Sequence, residues 1–361
     1  MNTRLLALCG FLLFTGAARA DIVRLDLRLP IAGTDQSLET LLVKPDATGR
    51  HPLVLMSHGS PRDANERREM SAYLYFSQAM EFARRGWAVA VVMRRGFGES
   101  AGPFLESYGT CDDPDYRHAS TVAAGDARAA IAQLAKRPDI DASRIVAVGG
   151  SAGGLATIAL AAHPVPGLVA AINFAGGSGS PRPDFVCRDE RLVETFRAHG
   201  RTSRTPMLWV YARNDRYFGP ALVEKFHGAF AAGGNTPELV ITAPFRDDGH
   251  ELFTVYGTAL WTPLVDAFLR KQGLVLRSNL LPLPPSRLVA PGGLSESGRR
   301  SFQDYIASGP HKAFAISTGS NFGWRSARRS VEDAKREALA NCRKSAAAEC
   351  RIIAVDDEPE Q

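Results

Sequence analysis

Apolar residues along this chain occur in two kinds of run. In 22–29 and 38–44 they alternate with polar residues, the two-residue period of half-buried antiparallel strands. In Leu53–Met56, Trp87–Met93, 144–149, Val169–Phe174, Met207–Ala212 and 238–243 they are nearly continuous, as in strands covered on both faces. Between these runs the spacing becomes helical. Met70, Tyr73, Leu74, Ser77, Met80 and Ala83 mark one helix, closed by Gly86. Others are predicted over 118–137, stopped by Pro138, and over 151–162, 220–232 and 257–272. Buried strands alternating with helices predict the α/β class: a mostly parallel sheet with an antiparallel edge and helices on both faces. Reactive groups on such a sheet gather beyond the carboxyl ends of the strands. Two connections leaving those ends, 98–117 and 176–204, are long enough to overhang a site there.

Beyond 272 the pattern changes. Residues 273–293 are rich in Pro and Leu, with Pro282, Pro284, Pro285 and Pro291, and read as a semi-rigid linker packed on the main domain. A small α/β module over 294–361 follows. Its predicted elements are a helix at 295–307, strands at His311–Ser317 and Asn321–Arg325, a helix opened by the capping box Ser330-x-x-Asp333, and a last strand at Cys350–Val355. The catalytic candidates all fall in 21–272.

The amino terminus reads as a signal peptide over 1–20. A basic start, Met1–Arg4, precedes an apolar stretch from Leu5 to Thr15 that is too short to span a bilayer, and Ala18-Arg19-Ala20 is an A-x-A cleavage signature. Cleavage is predicted after Ala20, giving a periplasmic or secreted protein. The apolar run continues past Cys9, which argues against lipid attachment there. Losing Arg4 and Arg19 takes the formal charge from +5 to +3, too low for nucleic-acid binding to be expected. Export also leaves four cysteines of the five. In an oxidising compartment an even count favours disulfides, with four reduced thiols as the alternative. The pairing predicted is Cys342 with Cys350, close neighbours in the module, and Cys111 with Cys187, which would tie the two long loops together. No C-x-x-C or histidine spacing suggests zinc, and no cofactor is expected.

The chemistry centres on Arg144-Ile145-Val146-Ala147-Val148-Gly149-Gly150-Ser151-Ala152-Gly153-Gly154. An apolar strand ends in a small-residue turn holding one serine, and a helical pattern follows. This is G-x-S-x-G in strand–turn–helix context, in which a tight turn lifts the serine hydroxyl out of the chain's path. A nucleotide-binding loop is the competing reading, but neither G-x-G-x-x-G nor G-K-[ST] is present. A serine hydroxyl needs a base, usually a histidine oriented by a carboxylate. In chain order the candidates are Asp215, after the Met207–Ala212 strand, and His250, after the next strand; Asp247 and Asp248 are rival acids. Negative charge developing at a carbonyl needs backbone N–H donors. Ala152 is one candidate, at a helix N-terminus. The second is Ser60, or Gly59, in Ser57-His58-Gly59-Ser60-Pro61, where Pro61 has no N–H to give. His58 is read as a brace for that loop. Phe97, Tyr108, Phe185, Tyr217 and Phe218 are candidate substrate-binding walls, and Arg62 and Arg182 candidate carboxylate ligands.

Taken together, His58-Gly59, Arg95-Gly96-x-Gly98-x-Ser100, Asp141-x-Ser143-Arg144-Ile145, Gly149-x-Ser151-x-Gly153-Gly154, Asn214-Asp215 and Asp248-Gly249-His250 resemble the α/β-hydrolase superfamily. The nearest likeness is the dienelactone-hydrolase-like branch that shades into prolyl-oligopeptidase-type peptidases, over about residues 35–272. Dienelactone hydrolases proper use cysteine where this chain has Ser151. No β-propeller pattern precedes the domain, so a sieving oligopeptidase is not expected. The C-terminal module resembles small domains of unknown function on exported bacterial proteins. The resemblance implies the α/β-hydrolase fold and a serine hydrolase acting on carboxylic esters through a Ser151 acyl-enzyme. A peptidase or amidase with the same triad is the alternative within enzymes, and a non-catalytic envelope-binding protein the alternative outside them. The expected partner is a small ester or short peptide, with envelope contact through the module as a further expectation.

Overall fold

The computed structural model describes residues 21–360 apart from 275, 276, 278, 284, 285, 319, 320 and 345–348. The signal-peptide reading of 1–20 and the linker's Pro284 and Pro285 lie outside the described residues. Eight strands form the main sheet: β1 (Ile22–Pro30), β2 (Ser37–Pro45), β3 (His51–Ser57), β4 (Ala88–Val92), β5 (Ile140–Gly150), β6 (Leu168–Phe174), β7 (Met207–Ala212) and β8 (Glu238–Thr242). Their order is β1-β2-β4-β3-β5-β6-β7-β8. The β1–β2 and β2–β4 pairs are antiparallel, and β4 through β8 run parallel.

Six helices cover the sheet: α1 (Phe76–Arg84), α2 (Tyr116–Leu134), α3 (Ala152–Ala162), α4 (Asp189–Thr202), α5 (Pro220–Ala231) and α6 (Thr258–Lys271). Side chains alternate between faces along each strand. Leu53, Leu55, Ala147 and Trp209 meet α2, α3, α4 and α5 on one face, whereas Val54, Met56, Val148 and Val210 meet α1 and α6 on the other. This is why the central strands read as continuous apolar runs. Both layers need them.

Three elements differ from the sequence expectation. The segment 176–204 is only half loop, because α4 occupies its second half with Leu192, Thr195, Phe196, His199 and Gly200 buried. That is a clean helical spacing, hidden behind the Gly-, Pro- and Cys-containing stretch before it. The helix expected from Met70 begins only at Phe76. Ser71 is extended and its side chain caps a separate 3₁₀ turn, Ala72–Tyr75, by accepting from Tyr73 N. A second 3₁₀ turn, Ala64–Glu69, precedes it. Finally, β5 starts at Ile140, where Ile140 and Asp141 pair with His51 and Pro52 before a register shift.

The linker packs along the end of α1, where Arg84 and Leu281 exchange hydrogen bonds (Arg84 Nε to Leu281 O 2.7 Å, Leu281 N to Arg84 O 3.0 Å). The module follows as α7 (Glu296–Ala307), β9 (Ala313–Ser317), β10 (Phe322–Arg325), α8 (Val331–Lys344), β11 (Cys350–Val355) and β12 (Glu358–Pro359). Its antiparallel sheet has the order β10-β9-β11-β12. Ala334, Ala338 and Cys342 of α8 pack on one face, and Phe302 and Tyr305 of α7 on the other. Ser330 Oγ accepts from Asp333 N at 3.1 Å, so the capping box opens α8. Among the described residues no helix is long and apolar enough to cross a membrane.

Two disulfides are present, Cys111–Cys187 and Cys342–Cys350, spanning 76 and 8 residues of sequence. On the chain-entropy estimate the longer loop contributes about 4–5 kcal/mol and the shorter about 2–3 kcal/mol. Replacing Cys111 and Cys187 together by Ser should therefore lower the unfolding free energy in urea by more than the matching Cys342/Cys350 pair. Equal losses would show that loop length does not govern these bridges.

Candidate active site

The turn after β5 places Ser151. Its φ of 55° and ψ of −126° lie outside the regions an L-residue prefers. The strain persists because the surroundings leave no other course. A Cβ on Gly149 would sit 2.1 Å from Gly153 O, and one on Gly153 would sit 2.2 Å from Ser57 O. The helix α3 is thus pressed against the ends of β3 and β5, and only glycine fits. Ser151 N donates to Phe174 O at 3.0 Å, and Ser151 O accepts from Gly177 N at 3.2 Å. Both bonds fix the serine at the carboxyl edge.

Two neighbouring loops bring Asp215 and His250 together. Asp215 is buried, and its Oδ1 accepts from Tyr217 N (2.7 Å) and Phe218 N (2.9 Å), a turn that aims the carboxylate inward. His250 Nδ1 lies 3.2 Å from Asp215 Oδ1 and 3.1 Å from Oδ2. Asn214 clamps the histidine loop, with Oδ1 accepting from Phe245 N (2.8 Å) and Nδ2 donating to Phe245 O and Arg246 O. Gly249 allows the approach, since a Cβ there would lie 2.6 Å from Ala212 Cβ. The rival acids are elsewhere. Asp248 caps the His250 turn, its Oδ1 accepting from His250 N at 3.0 Å, and Asp247 is exposed. The Tyr217 ring stacks on the His250 imidazole, centroids 3.8 Å apart, and the Arg62 guanidinium lies 3.8 Å above the outer face of Tyr217. Ser151 Oγ makes no hydrogen bond among the described residues. Nucleophile–base contacts often close only when substrate seats.

Ser151 opens on a cavity of about 270 Å³. Its lining includes Ser60 and Ala152, the apolar Ala119, Ala123, Leu155 and Phe218, with Tyr108 and Tyr217, and also Arg62, Arg67, Phe104 and Glu106. Glu106 is bound bidentately by the buried Arg94 at 2.6 and 3.0 Å. Gly59 N–H already donates to Tyr75 Oη at 3.0 Å, which leaves Ser60 as the freer of the two donors considered in that loop. His58 is fully buried. Its Nε2 accepts from Arg94 N at 3.1 Å and its Nδ1 faces Gly59 O at 2.6 Å. Burial, and then Arg94, hold its pKa well below the usual histidine range, so it is a neutral brace.

Two predicted wall residues are not walls. Phe97 is wholly buried and packs edge-on against His58, because the Arg94–Ser100 turn folds it into the core under the Ser57–Pro61 loop. Phe185 is exposed and carries the Arg182 guanidinium 4.3 Å over its ring; neither lines the cavity. Tyr108, Tyr217, Phe218 and Arg62 do line it. Sequence reasoning missed Tyr75, Arg67, Phe104, Glu106 and Asn214. Only Asn214 had a signal, its place beside Asp215 in the quoted motif.

The sequence profile of the X-Pro dipeptidyl-peptidase (S15) family matches residues 33–203, somewhat under half of the chain. The fold is the α/β-hydrolase fold. The chain superposes on an acylaminoacyl peptidase bound to Z-Gly-Gly-Phe-chloromethyl ketone with a TM-score of 0.51 at 16% identity, covering 73% of this chain and 43% of that one. Also similar are the Pyrococcus furiosus esterase Pf2001 (TM-score 0.49, 16% identity, 69% and 93% coverage) and the Thermogutta terrifontis esterase Est2 (0.47, 22%, 72% and 94%). No curated protein sequence matches the chain. The family profile and the structures that the chain resembles are those of peptidases and esterases.

Behind the cavity wall, Ser120 Oγ and His199 Nε2 lie 3.0 Å apart, both buried. Burial, and then the nearby Arg117 and His163, push the His199 pKa down to about 4. In the unfolded chain its value is about 6.5. Below pH 6.5 the unfolded state therefore takes up a proton that the folded state refuses, so stability rises with pH across this window. Acidification from pH 6.5 to 4 should cost about 3 kcal/mol through this residue. Denaturant melts of His199→Gln should show a shallower slope over that range than wild type.

Proposed function

We propose that the protein is an exported hydrolase that cleaves carboxylic esters through a Ser151 acyl-enzyme. The observation that carries this reading is the Asp215–His250 pair on the two loops beside a strained, cavity-facing Ser151. His250 Nε2 takes the Ser151 hydroxyl proton as Oγ bonds to the ester carbonyl carbon. Asp215 keeps the proton of Nδ1 in place and stabilises the imidazolium. The tetrahedral oxyanion is held by the N–H groups of Ala152 and Ser60. As the C–O bond to the leaving alkoxide breaks, His250 returns the proton to it. Water then repeats the sequence, giving the carboxylic acid and free Ser151. Two disulfides are compatible with export.

The peptidase reading is favoured by the match to X-Pro dipeptidyl-peptidases. The charge around the cavity speaks against that substrate. A dipeptidyl-peptidase must accept a free N-terminal ammonium, yet Glu106, the one carboxylate lining the cavity among the described residues, is committed to Arg94, and two guanidiniums share the wall. An ammonium there would meet net positive charge.

A fluorophosphonate probe should label wild type and leave Ser151→Ala unlabelled. With p-nitrophenyl butyrate, Ser151→Ala should lose roughly 10⁴-fold or more in kcat. Asp215→Asn should lose roughly 10²-fold to 10⁴-fold. Gly-Pro-p-nitroanilide should not be turned over. Faster anilide than ester turnover would replace the esterase reading with the peptidase one. A silent wild type towards both substrates and the probe would leave the binding-protein reading.

A further inference from the structure

The C-terminal module contacts the main domain by an ion pair between Asp304 and Arg246 (3.7 Å) and at residues 68–76, the far end of a segment from Ser60 that also reaches the cavity. At its first end, Ser60, Arg62, Ala64 and Arg67 line the cavity. At its last, Tyr75 Oη holds Gly59 N–H in the loop beside Ser151. Yet the 3₁₀ turn Ala64–Glu69 buries no side chain of its own, so no apolar anchor sets its position. Polar contacts hold it: Gly98 N donates to Arg67 O at 2.9 Å and the Arg68 guanidinium donates to Gly98 O, Ser100 O and Gly102 O, whereas the Arg68 and Met70 carbonyls are satisfied from the module. The Arg329 guanidinium donates to Arg68 O and, at 3.1 Å, to Met70 O. A cation on the last carbonyls of a turn is favourable both as hydrogen bond and as charge. Next to it, Ser71 Oγ donates to Ala327 O at 3.0 Å, with both residues buried. The His311 ring packs on Tyr73 at 4.3 Å, and the Gly309 backbone abuts Phe76.

We propose that the module is a brace for the active site, and that Arg329 is a positioning residue that holds the 60–75 segment, and through it the Ser60 donor and the Arg62–Arg67 wall, in working register. The inference rests on the esterase reading for its effect on rate, but the positional claim stands on the contacts alone. In this role the module acts through the 60–75 segment, with none of its described residues lining the cavity.

The test uses the full-length protein with Arg329→Ala, Arg329→Met and Arg329→Lys. Amide hydrogen exchange over 60–75 should quicken several-fold in the first two, with the rest of the sheet unchanged. The kcat for p-nitrophenyl butyrate and the second-order labelling rate by the fluorophosphonate should fall together by roughly tenfold per labelled site. Arg329→Lys should restore most of both. Arg329→Met keeps the side-chain stem and serves if the alanine variant does not fold. Unchanged exchange over 60–75, or a loss of labelled sites at an unchanged rate per site, overturns the brace. An unlabelled wild type overturns the esterase reading instead, and the exchange measurement still decides the positional claim.

Discussion

The close contact of α3 with the ends of β3 and β5 governs everything at the carboxyl edge. Gly153 sits so near Ser57 O, and Gly149 so near Gly153 O, that neither position admits a Cβ. With that clearance gone, the chain can pass from strand to helix only through a sharp turn, and Ser151 takes the unfavourable conformation at its apex. The same packing aims the first N–H groups of α3 at the space in front of the serine. The proposed nucleophile and donor are thus consequences of one steric fact, and the sheet sustains the strain through the bonds of Ser151 N to Phe174 O and Gly177 N to Ser151 O.

A second close approach supplies the other half of the site. The Asp215 loop and the His250 loop meet because Gly249 lets backbones converge and Asn214 ties their ends. The carboxylate then turns inward on two backbone N–H groups. Tyr217 and Arg62 stack in sequence over the imidazole, so that one face of the histidine ring is covered while Asp215 meets its edge at Nδ1. Polar and aromatic contacts of this kind come from side chains far apart in the chain, and each is set by the sheet order rather than by local propensity.

Much of the fold was legible because the sheet is buried on both faces. Continuous apolar runs such as Trp87–Met93 have few other structural meanings, and the helices between them kept their spacing. The catalytic candidates were legible for a related reason: a small-residue turn between an apolar strand and a helix leaves a local signature, and Asp215 and His250 follow strands in order. The failures share a cause too. Phe97 looked like a wall residue since it lies in a Gly-punctuated loop, but the Arg94–Ser100 turn folds inward. The α4 helix was masked by the irregular stretch before it, and the break at Ser71 by a side chain competing for a backbone N–H.

By itself the sequence determined the layer architecture, the order of serine, aspartate and histidine, and which turns had to be small, because those depend on periodicity and on residues adjacent in the chain. Only the tertiary structure decided which aromatic and charged side chains face Ser151, that Glu106 is spent on Arg94, and that the C-terminal module reaches the 60–75 segment through Arg329 and Ala327. Those depend on distances between residues tens to hundreds of positions apart. Such distances are set by how the layers and the module close on one another, and no local pattern records them.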